Sequence, residues 1–201
     1  MTERIGSRKG PKEKGARKVI KEGDFVLIDL TGTVRETDET FDTTDEERAK
    51  KAGIYREGTT YEPRLVVVGD GWVLKGIDRR LVGLEVNKSY RIVLKPEEAF
   101  GPRDPKKIEV VPYRMLRAEG VTPRPGLSVR YKGREAVVRS ISGGRVQLDY
   151  NPPLAGRVLV YDLSIRRVLR DPKEKIAALI HRWLPSVDTK AFTIRIRGDK
   201  V

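Results

Sequence analysis

Between residues 22 and 101, one segment sets apolar side chains at helical spacing. Val73, Leu74, Ile77 and Leu81 recur along Val73 to Leu84, which gives a short helix a single apolar face. Such a face needs a covering surface. The segments around it read as strands. Phe25 to Leu30 is one, and Thr31-Gly32 follows as punctuation before a second extended piece near Val34, so that the two suggest a strand pair. Leu65 to Val68 is a β-branched run closed by Gly69-Asp70-Gly71; Tyr90 to Leu94 is ended by Pro96; Leu159 to Val168 alternates through Tyr161, Leu163 and Ile165 as a long closing strand would.

The rest of the 201 residues divides by composition. Residues 1–20 are rich in Gly, Lys and Arg with almost no apolar partners, and read as a flexible basic arm. Residues 44–53 carry acidic side chains first, lysines last and a closing glycine, the signature of a short exposed helix. Residues 103–156 change character: Pro112, Pro123 and Pro125 separate short pieces, and Ser142-Gly143-Gly144 sits where a hairpin would turn. This predicts a small β-rich module with strands at Leu127 to Tyr131, Arg134 to Ile141 and Arg145 to Tyr150. The final segment predicts a helix from Lys173 to Leu184 with Ile176, Ile180 and Trp183 on one face, then a strand in which Phe192, Ile194 and Ile196 alternate. About 30 residues make no core of their own, so this piece must pack on the host, on a second copy or on further sequence.

Charge narrows the partners. The net charge of +13 is unevenly placed: residues 1–21 carry eight basic against two acidic side chains, and residues 166–201 carry ten against four. Residues 22–62 are acidic, five against twelve, while residues 103–157 are basic, twelve against five. Basic ends and a basic central module favour loose association with polyanions such as ribosomal RNA over specific readout. No stretch approaches the roughly 20 apolar residues of a membrane span. The lack of any cysteine removes disulfide and thiolate chemistry and makes the cytoplasm the default location. A lone histidine, His181, leaves no Cys-His pair and no second imidazole for a transition metal, and is read as structural. No metal or other cofactor is expected.

Five landmarks occur in order: Phe41-Asp42; Gly71-Trp72-Val73-Leu74-Lys75-Gly76-Ile77; Gly83-Leu84 before a strand; Pro96-Glu97-Glu98-Ala99-Phe100-Gly101; and Val160-Tyr161-Asp162-Leu163. In this the chain resembles the FKBP prolyl isomerases over residues 22–101 and 154–169. The insertion after Gly101 and the return at Leu154-Ala155-Gly156 resemble the SlyD-like branch with an insert-in-flap domain, in its long archaeal-type form. The resemblance implies an α+β fold: an antiparallel sheet half-wrapped around a short helix, with an inserted β-rich domain and a C-terminal helix and strand. The parts would be an arm at 1–20, an isomerase domain at 21–102 and 154–169, an insert at 103–153 and an extension at 170–201.

The same resemblance implies an apolar cleft containing Phe41, Asp42, Val73, Leu74, Ile77, Phe100 and Tyr161. Leu30 stands where family members often carry tyrosine, Ile77 where many carry tryptophan, and Phe100 where many carry a tyrosine whose hydroxyl donates to the substrate carbonyl. Asp42, the one carboxylate, would orient the twisted carbonyl or hold a loop. Such a site needs no acid, base or nucleophile. Rotation about Xaa-Pro is slow because amide resonance raises a barrier of about 18–20 kcal/mol, and the planar amide is more dipolar than the twisted one. Removing water therefore penalises the ground state more than the twisted state.

For the insert, Val110, Val111, Tyr113, Met115 and Leu116 are either a groove edge that captures extended chain by strand addition or the module's own core. The expected activity is prolyl isomerisation coupled to a holdase function. Unfolded or nascent proline-containing chains would be its partners, with contact to ribosome or RNA and a homodimer through residues 170–201. The alternative is a ribosome- or RNA-associated nascent-chain protein with vestigial isomerase activity.

Overall fold

The computed structural model describes residues 19–187, 193–196 and 198. In chain order the elements are β1 (Phe25–Val34), β2 (Thr40–Thr43), α1 (Glu46–Lys51), β3 (Arg64–Val67), α2 (Lys75–Leu81), β4 (Ser89–Leu94), β5 (Ile108–Pro112), α3 (Tyr113–Ala118), β6 (Ser128–Tyr131), β7 (Arg134–Ser142), β8 (Arg145–Asp149), β9 (Leu159–Leu169) and α4 (Pro172–Trp183).

Two antiparallel sheets result. In the first, β9 lies along one edge of β1 and carries β4 on its far side, while β3 and β2 share the other edge of β1. The alternation of β1 and β9 puts Val26, Ile28, Leu30, Tyr161, Leu163 and Ile165 into one core. Ile77 and Leu81 of α2 close it, at 1% and 0% exposure, so the helix half-wrapped by a sheet is present as expected. Burying those two side chains contributes roughly 3–6 kcal/mol before entropy.

Helix α2 spans fewer residues than its apolar periodicity suggests. Both carboxylate oxygens of the buried Asp78 accept backbone N–H bonds, from Gly69 at 2.8 Å and Gly71 at 2.9 Å. This folds the Gly69-Asp70-Gly71 turn back over the helix, with φ positive at both glycines. Val73 and Leu74 thus precede the helix and stand on its rim. Gly76 lets α2 sit close to the sheet, since a Cβ there would fall 2.6 Å from Leu94 Cδ2 and 2.8 Å from the Glu98 carbonyl.

Three expectations are corrected. Thr31-Gly32 does not break the first strand: β1 runs through it for ten residues. The basic arm does not extend to residue 20, because Ile20 is 1% exposed and exchanges backbone hydrogen bonds with Leu84 and Gly83. Residues 193–196 belong to no strand, and Phe192 lies outside the described residues.

The second sheet, in the order β5-β8-β7-β6, is the insert. Its turn at Gly143 and Gly144 has φ of 55° and 70°, the pair of positive values a two-residue hairpin needs. Its core is separate from the first: Val111, Leu116, Val129, Tyr131, Val138, Val146 and Leu148. β5 and α3 are elements the sequence reading did not resolve. The two crossings between host and insert are stitched together, with Gly156 N–H donating to Gly101 O at 2.8 Å and Asn151 bonding both the N–H and the carbonyl of Asp104. At their insert end the nearly inaccessible Asp149 lies 2.9 Å from Arg103 Nε, although neither atom makes a hydrogen bond of good geometry.

Helix α4 is capped by Asp171 and packs on the host. His181 Nε2 meets Glu62 at 2.8 Å, and Arg182 stacks on Trp72. The side of α4 turned to the host carries Ala177, Ala178 and His181, not the apolar face of Ile176, Ile180 and Trp183, and Trp183 is 81% exposed.

Candidate active site

Beside the end of α2 lies a cleft of about 590 Å³ lined by all seven residues that sequence places there: Phe41, Asp42, Val73, Leu74, Ile77, Phe100 and Tyr161. Leu30, Arg64, Gly71, Trp72 and Leu154 complete it. They come from several different parts of the fold. Phe41 and Asp42 are on β2, Ile77 on α2, Tyr161 on β9, and Phe100 and Leu154 flank the two crossings to the insert.

Phe41 and Tyr161 meet edge to face, 5.6 Å between centroids at 86°. They do so directly above Gly32, where a Cβ would lie 2.7 Å from Phe41 Cζ and 2.8 Å from Tyr161 Cε1. The glycine that looked like a turn residue is therefore a strand residue that makes room for two rings. Ile77 is the buried floor, and Phe100, 40% exposed, stands at the mouth.

Polar groups are few. Asp42 is held by Arg64 in a two-point pair, Nη1 to Oδ2 at 3.0 Å and Nη2 to Oδ1 at 2.9 Å. With both oxygens engaged, the carboxylate braces β2 against β3 and presents a fixed, charge-compensated edge to the cleft. Arg64 was not legible as a site residue, since nothing local marks an arginine ahead of the run Leu65–Val68. Trp72 was visible only inside a landmark.

Tyr161 carries the one hydroxyl among the described lining residues. That hydroxyl makes no hydrogen bond with the described residues. Burial, reinforced by Asp42, pushes its phenol well above the usual tyrosine range, so it stays a neutral donor. The site thus keeps an O–H although Phe100 has none.

Of the insert residues, Val111 and Leu116 are the module's core, at 3% and 0% exposure, the second of the two readings open to them and not the groove edge. Tyr113 is half-buried against the same core, while Val110 and Met115 are 56% and 45% exposed.

An apolar hollow with a paired carboxylate and a neutral phenol, between an antiparallel sheet and one short helix, is a site suited to binding an uncharged, partly apolar segment. Residues 16–116 match the family FKBP-type peptidyl-prolyl cis-trans isomerase, and residues 109–154 match the FKBP26, IF domain. The chain is 32% identical over 151 residues to the short-type peptidyl-prolyl cis-trans isomerase of Methanocaldococcus jannaschii, covering 75% of this chain and 94% of that one. It is 28% identical over 124 residues to the FKBP-type 16 kDa isomerase of Escherichia coli, 56% of this chain and 83% of the relative. With the SlyD isomerase of Helicobacter pylori it shares 26% identity over 125 residues, 60% and 66% of the two chains. The chain belongs to the FKBP-type peptidyl-prolyl cis-trans isomerase family.

Proposed function

We propose that this isomerase works as a two-module folding catalyst, in which the insert holds unfolded chain and delivers its prolines to the cleft. The observation that carries the reading is the placement of the insert: a separately cored sheet tethered by two stitched crossings, with Phe100 before one and Leu154 after the other lining the cleft. A chain held on the insert has its prolines near the site at high effective concentration. Strand β5 is an edge of its sheet and carries the exposed Val110, with Met115 on the adjacent α3, a combination suited to strand addition with adaptable side-chain contact.

In the cleft, the substrate amide exchanges water for Ile77, Leu74, Val73 and the two aromatic rings. The planar, more dipolar amide loses more solvation than the twisted one, which lowers the barrier. Tyr161 supplies a donor for the substrate carbonyl that Phe100 cannot.

The test compares the intact chain with one in which residues 103–153 are replaced by a short turn, which the Gly101–Gly156 contact makes geometrically feasible. Turnover of short Xaa-Pro peptides is expected to survive, and acceleration of a proline-limited refolding reaction to be lost. If the truncated protein speeds refolding as well as the intact one, the holdase reading is wrong. The second reading, association with ribosome or RNA, draws on the twelve basic against five acidic side chains of residues 103–157, with Arg114, Arg117, Arg124, Arg130, Arg134 and Arg145 all exposed. It predicts binding that weakens steeply with salt.

A further inference from the structure

A second cavity, about 1110 Å³ and larger than the cleft, lies between the loop of residues 53–63, the β3 and β9 surface and α4. The two hollows are joined twice. Phe41, Asp42 and Arg64 line both, so the Asp42–Arg64 pair is a shared partition. Trp72 lines the cleft, and Arg182, which lines the cavity, stacks on it at 4.3 Å from the ring centroid while donating to Leu65 O at 3.3 Å.

Charge in this cavity is unbalanced in one direction. Of the three carboxylates among the described lining residues, Asp42 is paired with Arg64 at 2.9 Å and Glu174 with Arg167 at 3.3 Å, while Glu62 is held by a hydrogen bond with His181 at 2.8 Å. Two guanidiniums, those of Arg56 and Arg182, have no carboxylate partner among the described residues. Behind them is an apolar and aromatic wall that includes the stacked pair Tyr55 and Tyr61, 5.6 Å apart.

We propose that the cavity receives the stretch of substrate chain flanking the proline, and that Arg182, assisted by Arg56, selects an acidic side chain there. The inference rests on the isomerase reading of the cleft. A chain with its proline over Ile77 continues outward by about 3.3–3.6 Å per residue, so a few residues carry it past the partition. An aromatic wall takes the apolar part of such a segment, and a guanidinium receives a carboxylate at two points. Stacking on Trp72 fixes the plane of Arg182 in advance, which reduces the entropy lost on binding. α4 would then be a specificity element as well as a cover for the sheet.

The test uses the full chain and a set of Xaa-Pro peptides in which glutamate, glutamine or lysine is walked along both flanks of the proline. The readout is the ratio of kcat/KM between charged and glutamine peptides, which cancels any change in the cleft itself. At low salt the wild-type ratio for glutamate is expected to reach about threefold to tenfold at one flank and to fall toward one as salt is raised. Arg182→Glu should shift the preference to lysine at the same position, and Arg56→Glu, in an exposed loop, should shift it part of the way. A ratio of one at every position, or a preference untouched by both reversals, overturns the proposal. So does a dimer dissolved by Arg182→Glu without any flank preference, since a second copy would then fill the cavity. If the glutamine peptide itself is not turned over by wild-type protein, the isomerase reading falls and this one with it.

Discussion

Gly32→Ala tests whether the two aromatic rings of the cleft are positioned by the strand beneath them. The added Cβ would lie 2.7 Å from Phe41 Cζ and 2.8 Å from Tyr161 Cε1, against an ordinary carbon–carbon contact of about 3.5–4.0 Å. One or both rings must retreat by about 1 Å. Overpacking of this kind costs about 1–3 kcal/mol, partly offset by the roughly 0.5–1 kcal/mol gained when alanine replaces glycine in a strand. The net expectation is a loss of about 1–2 kcal/mol in denaturant unfolding. Catalysis should suffer more, because a 1 Å displacement of positioning groups can cost about a hundredfold. A proline-peptide exchange assay is expected to show kcat/KM down at least tenfold. Gly133→Ala, in the insert turn with φ +76° and nothing within 4 Å, is the matched control: strained backbone, lower stability, unchanged turnover. If Gly32→Ala keeps full turnover, or if both variants lose it equally, ring placement is not what makes the cleft work.

Asp78→Ala removes the acceptor of two backbone N–H groups and should cost about 2–3 kcal/mol in unfolding, with loss of peptide turnover as the Trp72–Leu74 rim loosens. Tyr161→Phe should leave stability within about 1 kcal/mol and lower kcat/KM about threefold to tenfold, as expected for one lost hydrogen bond to substrate. In alkaline titration, an ultraviolet difference spectrum should show late-ionising phenols, since burial raises both Tyr161 and Tyr150, and Tyr161→Phe should remove one of them and leave the Tyr150 component. The sign follows from burial: a phenol raised in the folded state stabilises the fold below its unfolded pKa, and that contribution drains as pH rises through the folded value. Asp162 and Glu98 work in the opposite sense, held below the usual carboxylate range by hydrogen bonds from Arg91 and Arg80. Their contribution is whole above pH about 4 and falls away on acidification, so melting curves for Asp162→Asn should be flatter than wild type across that interval.

What the sequence made visible is what local pattern controls. The face of α2, the alternation of β9 and the capped α1 follow from spacing and end residues. The features it hid depend on partners far along the chain. Gly32 looks like a break by composition, and only the rings of Phe41 and Tyr161 explain it. Arg64 becomes a site residue because β3 and β2 share one edge of β1, which brings it to Asp42. In the insert, Val110 and Val111 are adjacent and equally apolar, yet the strand alternation sends one to solvent and the other inward. Pro112 obscured both β5 and α3 by ending one element where the next begins. Trp183 shows the converse: helical spacing gives it an apolar stripe, but Arg182 and His181 turn α4 so that it faces out.

The order in which β1 and β9 meet has a consequence for biogenesis. Their ten-residue ladder joins Phe25 to Leu169 and Val34 to Leu159, so every residue of the insert must be translated before the catalytic sheet can close. Within the insert, β6 with β7 and β7 with β8 pair neighbours in sequence, and closing those short loops costs little. A growing chain can therefore complete the inserted sheet while the isomerase is still an open half-sheet, so the insert of each molecule matures ahead of the part that turns prolines.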